Sequence, residues 1–366
     1  MSQVFPAHWD VLPFSLAVKD ATSEYSKLQK SEYLEQGRFP IVDQGQQKFG
    51  GYTDDESVVS LGGCPAVVFG DHTRIFKFID EPFCLGADGA KVLEPKVELD
   101  KKFLFYYLSS LNIESAGYSR HFKFLKENVV PVPPLPEQKR IATILDKADA
   151  IRRKRQQTIQ LADDFLRAVF LDMFGDPVSN PKGWEVKPLG SLVVNKDGKR
   201  IPIKAADRAD MAGEYPYYGA SGVIDYVNDF IFEGRHLLIG EDGANLLTRS
   251  TPIAFIADGR YWVNNHAHVL GEKNSLSLDY LAFSINMRGL ESFVSGSAQP
   301  KLNQENLNKI PIQVPPLILV DKFSAILNGH QEYMGKMIIS EPEVLFSSLS
   351  QKAFSGQLFA RESPCA

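Results

Sequence analysis

The sequence predicts an α+β chain: two pseudo-symmetric mixed α/β globules separated by two long antiparallel coiled-coil helices. Three features of the 366 residues predict it. A long internal repeat duplicates the architecture, a proline-rich border closes the globular part of each copy, and heptad spacing follows each border. These features place the first globule at 1–133, a central helix at 134–175, the second globule at 176–315 and a C-terminal helix at 316–366.

Six blocks in the same order carry the repeat, which has to be read before local propensity because it decides the architecture. HWDVLPFSLAV (8–18) resembles GWEVKPLGSLV (183–193), with Trp9 matching Trp184 at an offset of 175. RFPIVDQG (38–45) matches EYPYYGASG (214–222), and PAVVFGDHTR (65–74) matches HLLIGEDGA (236–244). DGAKVL (88–93) matches NHAHVL (265–270), and VPVPPLPEQKRIATIL (130–145) matches IQVPPLILVDKFSAIL (312–327). AVFLDMFGD (168–176) resembles KAFSGQLFA (352–360) at an offset of 184. A slow climb in offset, with one dip at the GDHTR loop, is the behaviour of two diverged copies with small loop insertions.

Within the globules, FPIVDQGQQKFGGY, AVVFGD, RIFKFID and FCLGADGAKVL read as short strands divided by Gly and Asp turns. KKFLFYYLSSL (101–111) and LDYLAFSINM (278–287) read as short amphipathic helices. Proline fixes the backbone and disfavours helix immediately before it, so each border opens a new element. After the first border, Ile144, Ile151, Thr158 and Phe165 form one seven-residue row, and Ile141, Ala148, Arg155, Ala162 and Val169 another. Together they are the seam expected of a coiled coil. The second copy offers Phe323, His330, Met337 and Val344 beside Ile326, Tyr333, Ser340, Ser347 and Phe354. Pro342 is expected to interrupt that helix near Ser340. A helix over 136–172 would be about 55 Å long.

Composition is that of an ordinary globular chain, 44% hydrophobic and 23% charged, ample for real cores. Cys64, Cys84 and Cys365 are widely spaced with no C-x-x-C pair, which predicts a reduced, cytoplasmic setting and no structural zinc. The opening MSQVFPAHWDVLPFSLAV lacks a basic start and long apolar run, and no stretch approaches the ~18 apolar residues of a membrane span. The expectation is a protein neither exported nor membrane-embedded. A formal charge of −5 argues against a simple DNA-coating protein, which is usually basic, but leaves room for local basic loops.

Several words, in this order, resemble the specificity subunits of type I restriction-modification systems. They are VPPLPEQKRIATILDKADAIRRKR (132–155), AVFLDMFGDP (168–177), KGWEVKPLGSL (182–192), QPKLNQENLNKIPIQVPPL (299–317) and SLSQKAFSGQL (348–358). The resemblance implies that each globule is a target recognition domain reading one half of a split, asymmetric sequence in double-stranded DNA. The helices would set the gap, their length letting the globules reach sites more than a ~34–36 Å turn of B-DNA apart. They would also dock two adenine methyltransferase subunits, which would bind S-adenosylmethionine and flip the adenine they methylate. Motor-nuclease subunits would use ATP and magnesium. This chain would bind no cofactor and no metal and would catalyse nothing. Two departures stand out: the second border reads LILVDKF where the first reads LPEQKRI, so it lacks the Glu137–Gln138 pair, and Pro342 falls inside a helix. The first departure questions equal docking of two partners, the second a straight spacer.

The residues proposed to meet DNA follow from charge, loop context and the repeat. Lys196, Lys199, Arg200, Lys204 and Arg208 face only Asp197 and Asp207 and suit phosphate contacts; a solvated loop is the alternative. Tyr118, Arg120, His121 and Lys123 align with Gln299, Lys301 and Asn303, where Arg and Lys suit guanine and Gln and Asn suit adenine; support of the next helix is the alternative. Gln44, Gln46, Gln47 and Lys48 occupy the place taken by Tyr217, Tyr218 and Ser221 in the other copy. His72, Arg74, Asn245 and Arg249 follow the Gly70 and Gly240 turns. For these, drift in exposed loops explains the differences as well as base reading does. Arg152, Arg153, Lys154 and Arg155 form a solvated helix face, a methyltransferase dock or a phosphate contact.

His266 and His268 alternate along an expected strand and so would share a face, yet their counterparts Gly89 and Lys91 cannot ligate, which favours a structural role over a metal site. No G-x-x-x-x-G-K-[ST] loop or post-strand G-x-G-x-x-G is present. Asn180–Pro181 lacks the Asn-Pro-Pro-aromatic word of adenine methyltransferases. Asp71, Asp88, Glu241 and Asp242 stand in turns without a consistent base. A duplicated DNA-acting nuclease, or an orphan scaffold copy without restriction, are the rival readings.

Overall fold

The computed structural model describes residues 5–60, 63–87, 89–115, 117, 119–273, 276–296, 299–338 and 342–359. They fall into two compact units, one made of 1–156 with 340–366 and the other of 157–339.

In the first unit a four-stranded antiparallel sheet has the order Val18–Asp20, Ala90–Pro95, Ala66–Gly70, Phe76–Ile79. Its central strand Ala66–Gly70 is buried along its whole length. Successive side chains of a strand point to opposite faces. Accordingly Val67 and Phe69 join a core with Phe103, Leu104, Ile141 and Leu145, on helices. Ala66 and Val68 join another with Val42 and Leu85, on a second sheet. That second sheet has the order Lys27–Leu28, Cys84–Gly86, Phe39–Val42, Gly51–Thr53. Burial on both faces explains why AVVFG is a continuous apolar run rather than an alternating one.

The second unit repeats this plan. Its antiparallel sheet runs Val193–Asn195, Ala267–Glu272, His236–Gly240, Ala254–Ala257. Leu237 and Ile239 face the helices, while Leu238 faces the second sheet with Tyr261 and Val263. A two-stranded ribbon accompanies each unit, Asp10–Pro13 with Val129–Val132 and Glu185–Pro188 with Pro311–Val314. The helices Lys101–Ser109 and Leu278–Met287 match the predicted pair. Asp100 caps the first by accepting from Lys102 N (3.0 Å) and Phe103 N (2.9 Å). Ser277 caps the second by accepting from Tyr280 N (3.2 Å).

The long helix after the first border is continuous over 40 residues, Leu135–Phe174, with Leu317–Ile338 and Pro342–Phe354 as its counterparts. In the second unit Phe323 packs on Phe170 and Phe174, and His330 lies 3.4 Å from Asp163, so these helices run antiparallel. The units do not stop at 133, 175 and 315, because the first part of the long helix belongs to one core through Ile141 and Leu145 and its last part to the other through Phe170 and Phe174.

The predicted seam was one residue out in its Ile144 row, in which Ile144 and Thr158 are half-buried but Ile151 and Phe165 are exposed. The row from Ile141 to Val169 is buried or half-buried, but its partners are Leu145, Arg152, Ile159, Leu166 and Met173, while Ile151 and Phe165 are more than 60% exposed. Likewise Phe323 is buried and His330 half-buried, with Val320, Leu327 and Met334 beside them, and Ile326 and Tyr333 are exposed. A heptad alternates steps of three and four, and two rows read separately leave open which step comes first. Pro342 opens its helix, a position where the missing N–H costs nothing; Ser340 lies outside the described residues.

The repeat also explains two termini. Phe170 packs on Tyr280 as Phe354 packs on Phe103. Gly175 (φ +77°) ends one helix against Pro181, and Gly356 (φ +72°) ends the other against Pro6. A Cβ at either glycine would strike the proline ring, and the left-handed backbone there favours glycine. Gln138 is buried: its Oε1 accepts from Asp100 N (2.6 Å) and its Nε2 donates to Pro133 O (2.7 Å) and Glu98 O (3.0 Å). It ties the long helix to the start of the first unit's short helix, a set of hydrogen bonds that Val320 at the equivalent place cannot make. Among the described residues no helix is long and apolar enough to cross a membrane.

Candidate nucleic-acid interface

At one end of each unit, loops distant in sequence are stitched together by backbone hydrogen bonds at equivalent places. In the first unit, Asp71 N donates to Gly89 O (2.6 Å) and His121 N donates to Asp71 O (2.9 Å). In the second, Glu241 N donates to His266 O (2.8 Å) and Leu302 N donates to Glu241 O (2.7 Å). Thr73 Oγ1 donates to Gln44 O (2.6 Å), adding the 43–48 loop to the first cluster. Arg200 donates from Nη1 to Ala267 O (2.8 Å), adding the 195–201 loop to the second. Loops held by a rigid sheet are the usual carriers of recognition.

On these loops Gln46, Gln47, Lys48, His72, Arg74, Arg120 and Lys123 are exposed in the first unit. Lys48 is held by Asp80 (3.3 Å) and Glu81 (3.2 Å), and Arg74 donates to Ile113 O (2.9 Å). In the second unit Lys199, Lys204, Ser221, Gln299 and Lys301 are exposed. Lys301 pairs with Glu241 at 3.2 Å.

Other predicted contacts are engaged inside the protein. His121 is buried with Nδ1 2.9 Å from Asp71 O, and Tyr217 is buried with its hydroxyl accepting from Ile203 N (3.0 Å). Tyr218 is half-buried, stacked on Phe255. Gln44 accepts from His72 N (3.2 Å), Asn303 caps a helix through Asn306 N (2.8 Å), and Asn245 ties Thr251 N (3.0 Å) and Thr251 O (3.1 Å). Arg249 donates to Asn286 O (3.2 Å) and Arg288 O. Arg208 donates to Asp225 (2.7 Å), and Arg200 to Glu241 (2.7 Å). Lys196 donates to His236 Nε2 at 2.7 Å. These side chains fix loops, because a polar group leaving water needs a partner. Tyr118 lies outside the described residues.

The second cluster is strongly charged. Asp197 Oδ2 meets His268 Nδ1 at 2.6 Å, and Asp197 Oδ1 accepts from Val269 N (2.8 Å). Burial pushes the Asp197 carboxyl up, but the bond and charge of His268 with the Val269 and Asn195 N–H groups outweigh it and hold it below its usual range. Burial likewise raises Glu241, and Arg200, His268 and Lys301 bring it below the usual range. Burial, then the Lys196 charge, pushes His236 down, consistent with a neutral ring that accepts from Lys196 and donates to Tyr261 OH (2.5 Å).

His266 and His268 do not share a face as expected: His266 precedes the strand Ala267–Glu272 and is half-exposed, whereas His268 is buried on Asp197 and on Leu302 O (2.8 Å). Among the described residues no three His, Cys, Asp or Glu side chains are grouped to hold a metal. The pair His266 and Asp242, Nδ1 to Oδ2 at 2.8 Å, stands in the loop cluster and was not among the expected DNA contacts. The repeat carries the missed signal, since it sets Asp242 opposite His72 and His266 opposite Gly89.

Comparison with known proteins gives this arrangement a context. The family described as type I restriction modification DNA specificity domain matches residues 22–161 and 181–348, one match in each copy of the repeat. A putative type I restriction enzyme specificity subunit of Haemophilus influenzae is 35% identical over 146 residues, 40% of this chain and 37% of that protein. The EcoprrI specificity subunit of Escherichia coli is 27% identical over 264 residues, 64% of this chain and 63% of that protein. The chain thus spans less than two thirds of these relatives. The crystal structure of a type I S subunit from M. genitalium superposes with a TM-score of 0.65 at 18% identity, covering 94% of this chain and 96% of that one, which shows the same fold.

Proposed function

The chain belongs to the type I restriction-modification DNA specificity family, and we propose that it is the subunit that chooses the DNA sequence for such a complex. The carrying observation is the pair of loop clusters: one backbone plan, used twice, presenting different side chains. Such a pair reads a bipartite, asymmetric target, one half per unit. Exposed Lys199, Lys204 and Lys123 suit phosphates, which position without specifying, while exposed polar loop tips suit base edges.

The spacer helices set the gap between the halves and dock two adenine methyltransferase subunits. Support comes from large apolar side chains left in water on those helices, Leu161 and Phe165 on the long one and Ile318, Ile326 and Tyr333 on its partner. Such exposed apolar surface marks interaction sites. The chain itself catalyses nothing; S-adenosylmethionine, ATP and magnesium act on the methyltransferase and motor-nuclease subunits, in the cytoplasm.

Co-purification with the methyltransferase, followed by methylome sequencing of cells expressing both, tests this reading. Adenine methylation at two short half-sites around a fixed gap is expected. A stable complex without a methylated motif would leave a scaffold, and DNA cleavage by the purified chain alone would make it an enzyme.

A further inference from the structure

We infer that His266, oriented by Asp242, is a base-reading side chain of the second unit that accepts a hydrogen bond from an exocyclic amino group, adenine N6 or cytosine N4, in the major groove. The inference rests on the proposed DNA-reading role and deepens it.

The backbone of His266 is pinned on both sides. Its N–H donates to Asn264 Oδ1 (2.8 Å) and its carbonyl accepts from Glu241 N (2.8 Å). The imidazole is pinned as well: Nδ1 lies 2.9 and 2.8 Å from the two oxygens of Asp242. A carboxylate only accepts and a neutral imidazole carries one N–H, so Asp242 assigns the proton to Nδ1 and leaves Nε2 an acceptor. Nε2 has no hydrogen-bond partner among the described residues, and half of the side chain is exposed. An acceptor held in one orientation distinguishes the amino groups of adenine and cytosine from the carbonyl oxygens of guanine and thymine. Exposed Lys199 and Lys301 stand on loops of the same cluster, where they can hold the phosphate backbone.

The first unit supplies the contrast. At the place of His266 it has Gly89, with φ +70°, and the Gln44 carboxamide lies where a Cβ would go. The first unit therefore fills with a loop-fixing amide the position at which the second presents an oriented imidazole. A target with unlike halves requires that difference. Asp242 is a positioning residue and touches no base.

The test is selection from a randomised duplex DNA library by the full chain in complex with its methyltransferase. It compares the natural chain with His266→Ala, His266→Gln and Asp242→Asn. His266→Ala is expected to relax one base pair of one half-site about ten-fold, leaving the other half-site unchanged. His266→Gln, which keeps an acceptor, retains an amino-bearing base there, and Asp242→Asn relaxes the same pair partially. A folding defect would instead weaken all sequences alike, and the Gln and Asn variants decide should the Ala variant not fold. Unaltered discrimination at every position in His266→Ala overturns the inference alone. No enriched sequence with the natural chain overturns the DNA-reading role, and the inference with it.

Discussion

The two loop clusters are built on the same hydrogen bonds and dressed in opposite chemistry. In the first unit Asp71 accepts from Phe122 N through Oδ1 (2.7 Å), and Gln44, Thr73 and His121 complete a mostly neutral set. In the second, Glu241 at the equivalent position holds Arg200 and Lys301, with Asp197 on His268 beneath. The bonds that gather the loops run through the backbone atoms of residues 71 and 241, so they place no demand on side-chain identity. A scaffold fastened in this way lets its exposed side chains change without being rebuilt. The sheet edges were less constrained. Lys27–Leu28 pairs parallel to Cys84–Gly86, whereas Phe232–Glu233 pairs antiparallel to Arg260–Val263.

The equivalence of the units can be broken at its core. Phe170→Ala and Phe354→Ala remove fully buried rings and should each cost about 3–5 kcal/mol. Amide hydrogen exchange should show loosening only in 157–339 for the first and only in 1–156 with 340–366 for the second. Loosening of the other unit in either variant would end the equivalence.

A smaller effect is expected where the clusters differ. Glu241→Gln leaves the half-buried Arg200 short of its closest carboxylate, and should cost roughly 1–3 kcal/mol in denaturant unfolding. Asp71→Asn keeps an acceptor for Phe122 N and should cost less. Equal losses would mean that the charges of the second cluster add nothing.

Acid should separate the units further. The folded pKa of His236 is lowered, so its contribution is present above the ordinary histidine value of ~6.5 and is lost as pH falls below it. The lowered Asp197 and Glu241 contribute above ~4 and are lost as pH falls through their folded values. In the first unit, burial pushes the Lys77 amine down against the opposing pull of Asp43. The cost of that charge fades as pH rises toward ~10.5, so alkali favours the first unit. Hydrogen exchange from pH 7 to 5 should loosen the second unit first, and His236→Gln should flatten that change.

The gentlest test concerns phosphate contacts. Lys199→Ala and Lys204→Ala should weaken binding of all sequences alike, each lowering the salt slope by about 0.9. A change in the selected motif would make either lysine a base reader.

The duplication, the two short helices, the borders and the long helix were legible in the sequence because they rest on local physics: periodic burial, turn residues and proline. Heptad phase was only half legible, since Ile144 and Leu145 are both apolar and packing alone buries Leu145 fully. Which loop residues face solvent was not legible at all. His121 and Arg120 adjoin in sequence, yet one is buried on Asp71 and the other exposed. Arg200 reads as a free cation until Glu241 and Ala267, more than forty residues on, meet it. By itself the sequence determined a twice-written fold and the family to which it belongs. Only the tertiary structure decided which polar side chains spend their hydrogen bonds inside the protein, because those partners come from loops that chain order keeps apart.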